Sequence, residues 1–185
     1  MSGGGKLEGV LRVLGFVLTL VAAIVVRLDK ETKVVPYSIS PNLPTFDVVV
    51  VAKWHYLSDV VVVAKWHYLS AFVYLFAANV IASLYGLLTL TISLANKNRS
   101  NILALLITIL DLVMVVLLSS SAGAAIAIGI IGYHGNSHVR WNKVCDTFGR
   151  FCKQVAAASA LSLAGAIVFM LLVILVVVGL QKRPK

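Results

Sequence analysis

Two charged residues stand where charge is costly. Asp111 is the single carboxylate in an otherwise apolar or small-residue run from Ile102 to Ile131, and Arg12 lies early in a second apolar stretch, Leu7 to Val26. A carboxylate near a bilayer midplane costs roughly 2.5–3.5 kcal/mol on insertion scales, so it is expected to face protein and to meet a cation at similar depth. Arg12 is five residues past Leu7 and Asp111 nine past Ile102. At a rise of ~1.5 Å per residue these positions lie ~7–8 Å and ~13–14 Å in from a common face, if the two helices run the same way. The gap matches one arginine side chain, so an intramembrane Arg12–Asp111 ion pair is expected. In the competing reading Arg12 snorkels to headgroups, and Asp111 is protonated or bonded to serines on neighbouring helices.

Other residues could carry chemistry only in combinations that the spacing disfavours. His134 and His138 are four apart, with Cys145 and Cys152 nearby, a set of zinc-ligand types. Gly135 and Asn136 interrupt the helix such a histidine pair needs, and a seven-residue cysteine spacing does not match the usual short knuckles. No metal is expected. A local Cys145–Cys152 disulfide is expected where that segment faces an oxidising compartment. Ser119-Ser120-Ser121 has no histidine at its depth to act as base. No GxSxG, Walker or GxGxxG pattern occurs. Neither catalysis nor a cofactor is expected, and His134, His138, Arg140 and Trp141 read as loop residues available to a partner.

The elements that position these residues are membrane spans. Sixty per cent of the 185 residues are hydrophobic and only 12% charged, against about a quarter charged in soluble domains. The thirty-residue run from Ile102 exceeds the ~30 Å hydrocarbon core as a helix. Boundaries follow from the polar breaks: a tail at 1–6, a first span at 7–26, a long loop at 27–70, a second span at 71–95, a turn at 96–101, a third span at 102–131, a loop at 132–154, a fourth span at 155–180 and a basic tail at 181–185. Fold class is therefore an all-α antiparallel four-helix transmembrane bundle, MARVEL-like in its four spans. Net charge is +9, but the sixteen Lys and Arg are scattered in short loops and tails. That pattern suits lipid headgroups better than nucleic acid, and no nucleic-acid partner is expected.

With four spans both termini share one side. That side holds Lys6, Arg12, Lys97, Arg99, Lys182, Arg183 and Lys185, and the other side holds nine basic residues. The raw count and the density disagree, because the seven occupy about twenty residues and the nine about sixty-five; the weight given to short loops favours cytosolic termini.

Two further patterns are visible. Asp47–Ser58 is repeated without change as Asp59–Ser70, which points to a recent duplication or an assembly artefact rather than to a repeat fold, which needs three or more units. The first copy reads as a spacer with a strand-prone Val48–Val51 run. Small residues recur at four-residue spacing as Ala78, Ala82 and Gly86, as Ser119, Gly123 and Ala127, and as Ser162 and Ala166 with Gly165 beside them. Such stripes let helices approach closely in lipid, either within the bundle or against another copy.

Taken together, Arg12, the Ala64–Tyr74 entry to the second span, Asp111 in Leu-Asp-Leu-Val-Met, the Ser-Ser-Ala-Gly-Ala-Ala segment and the Gly132–Cys152 segment resemble the plant CASP-like proteins, relatives of the Casparian strip membrane domain proteins. The resemblance implies four spans with cytosolic termini, an arginine in the first and an aspartate in the third, at Arg12 and Asp111 here. It also implies a non-enzymatic plasma-membrane scaffold that forms homodimers or larger homo-oligomers and hetero-oligomers with related CASP-like proteins. Founding members gather lignin-polymerising cell-wall enzymes, such as peroxidases, at immobile platforms. The duplicated first loop departs from the family, which carries one copy. A small transporter or channel working through Arg12 and Asp111 is the alternative function.

Overall fold

A chain whose long apolar runs alternate with short polar breaks has one way to satisfy its backbone in lipid, which is to fold each run as a helix. The computed structural model describes residues 3–37, 46–50, 63–65, 70–95, 101–135 and 143–181. Four long helices dominate: α1 (Gly3–Leu28), α2 (Ser70–Ala95), α3 (Asn101–His134) and α5 (Gly149–Gln181), with a single turn, α4 (Val144–Thr147), just before the last. Each of the four contains a segment long and apolar enough to cross a membrane.

The helices form a ring in which α1 packs on α2 and α5, and α3 packs on α2 and α5, so that α1 faces α3 across one diagonal and α2 faces α5 across the other. The interior divides into two apolar clusters. Towards the loops, Val26, Phe72, Leu75, Ala122, Ala125, Phe148, Phe151, Val155 and Ala158 pack together. Towards the termini, Ala82, Met114, Leu118, Ala166, Phe169 and Leu172 do so. Large apolar side chains on the outer faces, such as Leu84, Leu105, Val116 and Ile167, are exposed, as lipid-facing residues must be.

The helices run past the expected spans: α5 begins at Gly149, ahead of Val155, α1 begins at Gly3, ahead of Leu7, and α3 continues to His134. Residues 149–154, loop-like in composition, form an amphipathic turn at the start of α5. Phe151 and Val155, one turn apart, are buried, while Arg150 and Lys153 stay exposed. The ring of Phe151 meets that of Phe72 of α2 edge-on at 5.7 Å, which docks the first turn of α5 against α2. α3 stops at Gly135, whose φ of 73° is the left-handed cap that glycine adopts without steric cost; its N–H donates to the Ile131 carbonyl at 2.9 Å.

Between α1 and α2 the chain adds a small antiparallel sheet of order β2-β1-β3, formed by β1 (Lys30–Tyr37), β2 (Phe46–Val50) and β3 (Val63–Lys65). β2 belongs to the first copy of the duplicated segment and β3 to the second, and they occupy opposite edges of β1. The first copy is thus more than a spacer, because its valines take up an open strand edge. The rest of the duplication, the 96–100 turn and residues 182–185 lie outside the described residues.

Candidate functional site

The charged residue of α1 reaches the charged residue of α3 through the middle of the ring. Arg12 is 1% exposed and Asp111 0%. The Arg12 Nη2 atom lies 3.5 Å from Asp111 Oδ2, and Arg12 Nε donates to Glu8 Oε1 at 3.1 Å, one turn back on α1. Because α1 and α3 are diagonal neighbours, only a side chain as long as arginine closes that distance. Tyr85 of α2 completes the acid's surroundings. Its hydroxyl lies 3.0 Å from the Ile107 carbonyl and donates to Asp111 Oδ1 at 2.7 Å. The Tyr85 ring is tilted against Phe169 of α5 at 6.0 Å, so all four helices contribute to one cluster. Arg12 Nη1 and Nη2 and Asp111 Oδ2 make no hydrogen bond; the contact between guanidinium and Oδ2 is purely ionic.

A second polar bridge spans the other diagonal. Asn79 of α2 donates through Nδ2 to Ser162 Oγ of α5 at 3.1 Å and to the Leu75 carbonyl at 2.8 Å. The remaining buried hydroxyls turn back onto their own helices: Thr19, Ser83, Thr89, Thr108, Ser121 and Ser159 each donate to a carbonyl three or four residues earlier.

The small-residue stripes divide into two kinds. Ala78, Ala82 and Gly86 are buried on α2, and a Cβ at Gly86 would sit 3.4 Å from Phe16 Cβ of α1. Ser162, Gly165 and Ala166 are buried on α5, and a Cβ at Gly165 would stand 3.1 Å from Thr19 Cγ2, close enough that Thr19 would have to give way by a few tenths of an ångström. Ser119, Gly123 and Ala127 instead lie on the exposed face of α3, with nothing within 4 Å of a Cβ at Gly123.

At the loop end, Cys145 of α4 is disulfide-bonded to Cys152 of α5 with Cα atoms 5.8 Å apart. His134 is exposed at the last residue of α3, where its Nδ1 lies 3.3 Å from the Ile130 carbonyl and its ring meets Tyr133. His138, Arg140 and Trp141 lie outside the described residues. Among the described residues no three His, Cys, Asp or Glu side chains converge as metal ligands do.

Sequence reasoning missed Tyr85, Glu8 and the Asn79–Ser162 bridge. Glu8 stands four residues before Arg12, a spacing that signals a helical ion pair. An asparagine inside a long apolar run likewise signals an interhelical bond. Tyr85 carried no such signal.

Comparison with known proteins places this bundle in a family. The sequence pattern of the Casparian strip membrane protein domain matches residues 1–168. The chain belongs to that family. It is similar to CASP-like protein 1E2 of Glycine max, with 49% identity over 179 residues that cover 97% of this chain and 89% of the relative. It is similar as well to CASP-like protein 1E1 of Populus trichocarpa, with 49% identity over 184 residues covering 100% and 88%. CASP-like protein 1E1 of Arabidopsis thaliana is 48% identical over 176 residues, covering 94% and 86%. No solved structure matches. With four spanning helices and a Casparian strip membrane protein domain, the chain is a multi-pass membrane protein.

Proposed function

We propose that this CASP-like chain is a non-enzymatic scaffold of the plasma membrane that associates with further copies of itself and with related CASP-like proteins. Its termini lie in the cytosol, and its two loops face the cell wall, where they position wall-modifying enzymes. The observation that supports self-association is the outward stripe Ser119, Gly123 and Ala127. The other two stripes are consumed inside the bundle, while this one leaves the α3 backbone open to a neighbouring helix. The cysteine pair at the loop end, oxidised as an extracellular pair would be, supports the orientation.

Transport through the Arg12–Asp111 cluster is the weaker reading, because a relay needs polar groups that exchange partners along a path. Here, Tyr85 and Ser162 apart, the buried hydroxyls among the described residues are taken up by their own helices.

Photobleaching of a fluorescent fusion in plant cells tests the scaffold. The wild-type protein should recover slowly within defined patches and Gly123→Leu quickly and uniformly, with both variants equally stable in detergent. Equal, fast recovery of the two would remove the stripe and the platform together.

A further inference from the structure

Outside the ion-pair cluster, the groove between α1 and α5 opens at its loop end into a cleft of about 710 Å³, lined by Val25, Asp146, Gly149, Arg150, Lys153, Gln154 and Ala157. It is an open surface cleft rather than an enclosed cavity, and most of its lining is exposed. Its position is less ordinary, because the uncharged part of α5 begins at Val155. The lining therefore crosses the depth at which hydrocarbon gives way to headgroups.

The chemistry of the lining changes with depth in one direction. Deepest are Ala157 of α5 and Val25 of α1, both apolar. One turn out from Ala157 lie Gln154 and Lys153, then Arg150 and Gly149 at the start of α5. Outermost, on α4, is Asp146. The sequence of environments is thus apolar, amide, two cations, carboxylate. The cations and the first backbone N–H groups of α5 lie together, and the helix dipole adds to their attraction for an anion. The Cys145–Cys152 disulfide ties α4 to α5 and so fixes where Asp146 stands relative to Arg150.

A zwitterionic phospholipid has the matching order along its own length: acyl chains, ester carbonyls, a phosphodiester anion, then an ammonium group. We infer that this cleft holds one zwitterionic phospholipid, with an acyl chain against Val25 and Ala157, an ester carbonyl at Gln154, the phosphate between Lys153 and Arg150, and the ammonium at Asp146. Two cations and one carboxylate complement a headgroup carrying one charge of each sign better than one that is only anionic. The bound lipid fills the α1–α5 groove at the membrane surface and is part of the protein's lateral boundary.

Native mass spectrometry of the full-length protein, released from detergent after incubation with phosphatidylcholine or phosphatidylglycerol, tests the site. Wild type should retain one phosphatidylcholine in preference to phosphatidylglycerol. Arg150→Ala/Lys153→Ala should reduce retention about thirtyfold, given ~1 kcal/mol for each of the two interfacial cations removed. Arg27→Ala, which removes a nearby cation at the end of α1 that does not line the cleft, should leave retention unchanged. Asp146→Asn keeps shape and fold, and should abolish or reverse the preference for phosphatidylcholine while lipid is still held. Equal effects of Arg27→Ala and the double variant would reduce the site to general surface charge and overturn the inference. So would an unaltered headgroup preference in Asp146→Asn, or displacement of the lipid by soluble phosphocholine, which lacks the acyl chains.

Discussion

The two ends of the bundle interior are held by different physics. Towards the loops, cohesion comes from aromatic and aliphatic packing around Phe72, Phe148 and Phe151, and from a disulfide between residues seven apart in sequence. Towards the termini it comes from Arg12, Asp111 and Tyr85, which arrive from three different helices. The difference shows what each device supplies. Apolar contact in lipid discriminates poorly between one rotation of a helix and another, since tails are as apolar as leucine. A buried ion pair admits a single arrangement. The loop end can be cohesive by itself, whereas the terminal end settles which faces of α1, α2 and α3 look inward.

The largest effect should come from disturbing the terminal end. Arg12→Leu leaves Asp111 buried without its cation and should lower stability by about 3 kcal/mol, read from unfolding of the purified protein in SDS. Adding Asp111→Leu should recover most of that loss, and a coupling near zero between the two substitutions would remove the ion pair as the organiser of this end. Next, Cys145→Ser/Cys152→Ser should cost about 2–3 kcal/mol through the loop entropy regained by the unfolded chain. Amide exchange should then quicken at residues 143–155, and the coupling between Arg12 and Asp111 should persist. Exchange quickening equally around Asp111 would mean that the two ends are one cooperative unit.

Gly165→Val should cost about 2 kcal/mol, because its methyl groups meet Thr19 where a Cβ alone stands at 3.1 Å. The same substitution at Gly123, where nothing lies near, should change stability little. Smallest of all, Asn79→Leu removes the bridge to Ser162, with an expected loss of about 0.6 kcal/mol, the average for hydrogen bonds between membrane helices.

The existence of four helices long and apolar enough to span could be read from apolar length alone, and Arg12 and Asp111 announced themselves by being charged within it. What sequence could not supply was rotation. α2, α3 and α5 are apolar on nearly every face, so periodicity cannot say which side turns inward. That is why Tyr85, one aromatic among many apolar neighbours, gave no hint that it bonds Asp111. It is also why the three small-residue stripes looked equivalent, although two are buried and one is not. The start of α5 was hidden for the opposite reason. Arg150, Lys153 and Gln154 look like loop residues until Phe151 and Val155 are seen to share a buried face beneath them.

The Glu8–Arg12 contact has a consequence in time. During synthesis α1 is made and delivered to lipid well before Asp111 exists, and an unaccompanied guanidinium would resist that transfer. A glutamate one turn away on the same helix gives it a partner from the start, one that the folded bundle keeps at 3.1 Å. The first span thus carries part of its own charge compensation, and Asp111 adds to it through a different nitrogen of the same guanidinium.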